Sequence, residues 1–149
     1  MVYNIPKVQL SYVCDFAGLP PRRITCSNDA YIYFRDNYED GKIGHIEQFY
    51  LLLLNRNNRV LGIQKVSEGG VAGTVVDPKI ILQAALLSNA SAIILCHNHP
   101  SGNLNPSSQD VEITKKIKQA ANFMDILIND HLIITPEGQY YSFADNGLI

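Results

Sequence analysis

Apolar positions along the chain form short runs separated by turn chemistry, and two stretches repeat with a helical period. From Ile46 to Leu54 a strand-like run precedes "NRNNR" at Asn55 to Arg59, and "VLGIQKV" follows, which predicts a hairpin. Asp77-Pro78 supplies an N-cap and a first-turn proline for a helix over "KIILQAALLSN", with Asn89 as its stop. "SAIILCHNH" is apolar on both faces, Ile93/Leu95 and Ala92/Ile94/Cys96, as expected of a central strand covered on each side. A helix starting near Ser107 would turn Ile113, Ile117, Ala120, Ala121 and Met124 to one face.

The remaining pieces are shorter. "KVQLSYV" predicts an early strand, and after "AGLPPRR", the one candidate linker, Ser27-Asn28-Asp29 starts a short helix over "AYIYFRDNY". A short strand is expected around Thr74 to Val76, and "DILINDHLIIT" and "YYSF" supply the last strands. Strands interleaved with helices in this order predict an α/β fold, a mixed β-sheet flanked by helices. Residues 1–44 are expected to form a strand/helix extension packed on a core of residues 45–149, within one compact domain.

Composition narrows the partners. At 149 residues and 46% hydrophobic, the chain suffices for one domain with a real core. Its formal net charge of -2 gives no general attraction for a phosphate backbone, although Arg22-Arg23 and Lys115-Lys116-Lys118 form local basic patches. DNA is therefore a partner that charge does not support. Cys14, Cys26 and Cys96 are odd in number and contain no CxxC, the usage of a reduced intracellular protein. Apolar runs such as "YLLLLN" are too short for a membrane span, and Met1 is not followed by a basic and then hydrophobic signal region. The expectation is a cytoplasmic protein without membrane contact.

The chemistry concentrates in "HNHPSGNLNPSSQD", His97 through Asp110. Strand alternation puts His97 and His99 on one face and Asn98 on the other, at a strand end closed by Pro100-Ser101-Gly102. Asp110 precedes Ile113 and Ile117 by three and seven residues, so it shares their inward face. Two imidazoles and a carboxylate with a fourth position open are the ligand set of a catalytic zinc. Simpler readings stand beside this one: the histidines as polar cover, and Ser107-x-x-Asp110 as an N-terminal capping box. Capping and ligation are compatible. Glu47 begins an apolar strand face with Phe49, Leu51 and Leu53. If that face is buried, desolvation raises its pKa toward general acid/base use; alternatively it sits at an exposed strand beginning. Glu68 lies in a turn-like segment, and Glu112 faces away from Asp110.

Glu47, His97-x-His99 and Ser107-x-x-Asp110 together resemble the JAMM motif of JAB/MPN metalloprotease-like domains, and "HNHPSGNLNPSSQD" with "DHLIIT" resembles their RadC branch. The similarity runs from about Glu47 through Ser142. It implies a JAB/MPN architecture related to cytidine-deaminase-like folds, with one Zn2+ held by His97, His99 and Asp110. By the same resemblance Glu47 is the acid/base, Ser107 stabilises the oxyanion of a tetrahedral intermediate, and the reaction is hydrolysis of a peptide or isopeptide amide. Lowering a water pKa from about 15.7 toward about 7 is worth on the order of 12 kcal/mol in ionisation. Two features depart from the pattern. Asn98 stands between the histidines where the peptidases usually carry Ser or Thr, and the helix-hairpin-helix region often found ahead of RadC-like domains is not legible, which leaves DNA repair resting on family association.

His131, in "NDHLIIT", also matches the RadC branch; it either orients a ligand as a second-shell residue or is satisfied in the core. His45 is expected in a loop, and Cys96 as a small buried hydrophobe. A nucleobase deaminase would need H-x-E and P-C-x-x-C, and the chain has neither. The alternative from another class is a non-catalytic, metal-stabilised module that associates with protein or DNA.

Overall fold

The computed structural model describes residues 23–39, 41–70 and 73–149. The strand expected over "KVQLSYV" and nearly all of the "AGLPPRR" linker lie outside these residues. In chain order the elements are α1 (Ser27–Asn37), β1 (Gln48–Leu54), β2 (Val60–Glu68), α2 (Pro78–Leu87), β3 (Ala92–Asn98), α3 (Ser108–Asn122), β4 (Leu127–Ile134) and β5 (Tyr140–Ser142).

The strands make one mixed sheet in the order β2-β1-β3-β4-β5. β1 pairs antiparallel with both β2 and β3, β3 runs parallel to β4 through α3, and β5 returns antiparallel. The expected α/β fold is thus observed, with β3 at its centre. Every residue of β3 and of β1 is buried, which the double-sided apolar pattern requires. On one face α1 places Ala30 and Phe34 against Tyr50, Leu52, Ile94, Cys96 and Leu132. On the other, Ile81 and Ala85 of α2 and Ile117 and Ala121 of α3 cover Phe49, Leu51, Ile93 and Leu95.

Local chemistry sets the element ends. Asn55 Oδ1 accepts from the amides of Asn57 and Arg59, and Asn58 takes a φ of 54°, which closes the β1–β2 hairpin with a left-handed asparagine. Asp77 accepts from the Lys79 amide ahead of Pro78, and Asn89, at φ 52°, turns the chain after α2. α1 begins one residue earlier than its polar triplet suggests: Cys26 is the N-cap without a side-chain bond, and Asp29 instead accepts from Thr25.

Three expectations need correction. No strand forms at Thr74 to Val76; an isolated Gly70–Gly73 bridge precedes the segment, and the Thr74 hydroxyl bonds Ser67 of β2 at 3.0 Å. The cause is a close backbone approach, since a Cβ on Gly69 would stand 2.2 Å from the Gly73 carbonyl oxygen. The chain therefore folds back instead of extending the sheet. Met124 is exposed rather than core-facing, because α3 ends at Asn122 and Asp125, at φ 54°, reverses the chain. β1 starts at Gln48, leaving Ile46 and Glu47 ahead of the ladder. Among the described residues no helix is long and apolar enough to cross a membrane.

Ile117, fully buried where α3 meets the sheet, tests this packing. Ile117→Ala is expected to lower unfolding stability by about 3 kcal/mol and Ile117→Val by about 1 kcal/mol in urea titrations. Equal and negligible losses would mean that α3 does not seal this face.

Candidate metal centre

The carboxyl end of β3 meets the N-terminus of α3 across a short loop. Alternation sends His97 and His99 toward the α3 face, and a φ of 78° at Gly102 lets the loop turn tightly back. His99 remains tied to the sheet through its amide, which donates to the Ile134 carbonyl at 2.9 Å. At the far side of the loop Ser107 is the N-cap of α3. Its hydroxyl accepts from the Asp110 amide while Asp110 Oδ2 accepts from the Ser107 amide and hydroxyl, each at 2.7 Å. The capping box is real. It aims the carboxylate at the histidines.

His97, His99 and Asp110 each offer one ligand atom, and these atoms all lie within 4.8 Å of one another. His97 Nε2 is 3.0 Å from His99 Nε2 and 3.1 Å from Asp110 Oδ1, and His99 Nε2 is 3.6 Å from Asp110 Oδ2. His99 Nδ1 stands 2.5 Å from the Asn103 carbonyl, which can only accept, so Nδ1 carries hydrogen and neutral Nε2 keeps a lone pair. With Oδ2 held by the cap, Oδ1 is the freer carboxylate oxygen. Two borderline-soft nitrogens and one oxygen converging in this way suit a divalent transition metal.

Electrostatics agree with that chemistry. Burial opposes ionisation of Asp110, but the adjoining His97 and His99 outweigh it and hold the carboxyl well below the usual carboxylate range. Burial also works against charge on His99, yet Asp110 and the Asn103 carbonyl raise its pKa overall. A proton and a cation compete for the same lone pair.

Glu47 lines the same cleft, of about 390 Å³, as His97, His99, Ser107 and Asp110. It is half-buried rather than solvated. Burial raises its pKa, partly opposed by His97 and His99. Its backbone is fixed on one side by Gly69 and Gly70, which bond to the Glu47 carbonyl and amide. On the other side Asn98, buried between the two histidines and facing away from them, accepts from the Gln48 amide at 2.7 Å. It also donates to the carbonyls of Ile43 and Ile46 at 2.7 and 2.8 Å. Glu68 is elsewhere, paired with Lys65, Gln48 and Lys42, which lower its pKa to about 2. Glu112 and His45 are exposed, outside the cleft.

His131 is fully buried, with Nε2 2.8 Å from His97 Nδ1 and Nδ1 2.6 Å from Thr114 Oγ1. Burial and the nearby His97 hold its pKa well below the usual histidine value, so it is neutral. Sequence reasoning missed Thr114, although its position one helical turn after Asp110 placed it on the same face. It also missed the Asn103 carbonyl, since a backbone group in a loop leaves no residue-type signal. A second cavity of about 440 Å³, at the other end of β3 and lined by Asn55, Arg56 and Asp125 among others, gathers no comparable set of ligands among the described residues.

A mixed sheet whose central strand ends in this His-His-Asp cluster, facing a helix N-terminus, defines a JAB/MPN-type α/β domain. The sequence profile of the RadC-like JAB domain matches residues 24–148, and the chain belongs to that family. The match takes in α1, so it is wider than the Glu47–Ser142 stretch that the motifs suggest. The chain is 47% identical over 127 residues to a UPF0758 protein of Flavobacterium johnsoniae, covering 85% of this chain and 54% of that one. A UPF0758 protein of Porphyromonas gingivalis is 45% identical over 103 residues, 69% of this chain and 45% of its own length. The Escherichia coli UPF0758 protein YfjY is 42% identical over 103 residues, 69% and 64% of the two chains. The chain thus spans about half the length of the first two of these relatives, and their names state no reaction.

Asn98 offers a direct test of how the Glu47 segment is held. Asn98→Ala removes three hydrogen bonds, one buried and two part-buried, and is expected to cost about 3 kcal/mol in urea unfolding. In the native state it should also speed hydrogen exchange at the Gln48 amide. Unchanged exchange there would show that β1 pairing alone fixes the segment.

Proposed function

We propose that this domain is a zinc-dependent hydrolase of amide bonds, acting on a peptide or isopeptide linkage in a polypeptide substrate. The observation that carries the reading is the convergence of two imidazole nitrogens and a carboxylate oxygen within 4.8 Å, with Glu47 in the same cleft. His97, His99 and Asp110 would hold the ion. Zinc bound there would supply Lewis acidity and make a water nucleophilic near neutral pH.

The chain's own groups account for the rest. Glu47, desolvated and facing the cluster, takes a proton from the attacking water and returns it to the leaving amine. Ser107 can rotate its hydroxyl hydrogen from Asp110 Oδ2 toward a substrate carbonyl oxygen while its own oxygen still accepts from the Asp110 amide. A donor aimed at the developing oxyanion is worth about 3 kcal/mol. His131 supports His97 from behind, its Nε2 2.8 Å from His97 Nδ1. Phe49, Val76 and Ile113 give the cleft apolar walls, and among its described lining residues there is no lysine or arginine. That composition favours a polypeptide over DNA, whose phosphates need cations. A cytoplasmic setting accords with Cys26 and Cys96 being free thiols.

Protein purified without chelator should carry about one zinc per chain, lost in His97→Ala, His99→Ala and Asp110→Ala. Metal-free wild type by elemental analysis would end the assignment. Glu47→Gln should retain zinc while lowering hydrolysis of peptide and isopeptide substrates at least about 100-fold. A base must be unprotonated, so activity should fall as pH drops through the raised pKa of Glu47, above the usual 4.5 of a glutamate. Bound zinc with no turnover in any variant would favour the metal-stabilised binding module.

A further inference from the structure

We infer that Thr114 is a positioning residue: through His131 it fixes His97 in the tautomer that presents a bare Nε2 to the metal cluster. The inference rests on the metal-site reading above and extends it to a residue that touches no ligand atom.

The relay starts at a backbone carbonyl. Thr114, almost fully buried on α3, places Oγ1 2.5 Å from the carbonyl oxygen of Asp110. A carbonyl can only accept, so the single hydroxyl hydrogen lies between these two oxygens. The same Oγ1 is 2.6 Å from His131 Nδ1, and with its hydrogen committed it must accept there. His131 Nδ1 therefore carries hydrogen. The His131 ring is stacked on Phe143 with centroids 4.6 Å apart, and no carboxylate bonds to it among the described residues. Its Nε2 is accordingly a lone pair, 2.8 Å from His97 Nδ1, which must donate. With Nδ1 committed to His131, Nε2 is the His97 nitrogen left for a metal, facing Asp110 Oδ1 at 3.1 Å.

Both ligand histidines are thus set by backbone carbonyls, His99 directly by Asn103 and His97 through two side chains by Asp110. Loss of the Thr114 hydroxyl would leave His131 Nδ1–H unpaired in the core. The ring would then favour hydrogen on Nε2, which forces His97 Nδ1 to accept and puts the His97 hydrogen on Nε2. That hydrogen occupies the ligand position.

Thr114→Val keeps the side-chain volume and removes the hydroxyl, whereas Thr114→Ser keeps the hydroxyl. With native far-UV circular dichroism as the check on folding, zinc affinity is measured by competition with a chelator. Thr114→Val is expected to weaken zinc about 10- to 100-fold, and Thr114→Ser to stay within about threefold of wild type. Independently, imidazole nitrogen NMR of zinc-loaded wild type should show His131 protonated at Nδ1. Wild-type affinity in folded Thr114→Val, equal losses in Val and Ser, or hydrogen on His131 Nε2 would each overturn the relay. Wild type that binds no zinc would instead overturn the metal-site reading, and the relay's role with it. If Thr114→Val does not fold, the serine variant and the wild-type spectrum decide.

Discussion

A central strand buried on both faces can end in polar residues only if every one of them finds a partner. β3 runs from an apolar body into His97 and Asn98, both buried, and the penalty for an unpaired polar group there is about 1–3 kcal/mol. That constraint organises the site. On one face it draws Asp110, His131 and Thr114 to the histidines; on the other it binds the segment before β1 to Asn98. The site is assembled by the same hydrogen bonds that let the sheet close.

The cluster also carries a built-in electrostatic demand. Asp110 completes a capping box with Oδ2 and turns Oδ1 to His97 Nε2 at 3.1 Å, while His99 Nε2, bare by virtue of the Asn103 carbonyl, lies 3.6 Å from Oδ2. Lone pairs at such distances repel unless a proton or a cation sits among them. The raised pKa of His99 follows from the same demand, since Asp110 and the Asn103 carbonyl favour positive charge on its ring.

Much of this was legible from residue patterns. The two-sided apolar run of β3, the hairpin turn and the proline-started α2 follow from local chemistry, and the inward phase of Asp110 followed from Ile113 and Ile117. What could not be read depended on distant backbone. Thr74 to Val76 has strand composition, yet the close approach at Gly69 folds it over the cleft. Met124 continues the helical stripe, but the left-handed turn at Asp125 removes it from the core. Glu47 fits an exposed strand beginning as well as a buried one, and Asn98, fifty residues away in sequence from Gln48, helps decide which.

Asn98 also explains why the position between two ligand histidines matters without touching them. Its carboxamide accepts one hydrogen bond and donates two, joining Gln48, Ile43 and Ile46 at once. A serine or threonine hydroxyl, with one hydrogen, cannot donate to both carbonyls while accepting from the Gln48 amide. A hydroxyl there would leave one buried carbonyl to another partner, and the segment would settle differently. Since Glu47 lies between Ile46 and Gln48, the exchange would bear on where Glu47 stands relative to His97, His99 and Asp110. Asn98 thus acts on the cleft through the backbone on either side of Glu47, since its carboxamide bonds Gln48, Ile43 and Ile46 and none of His97, His99 and Asp110.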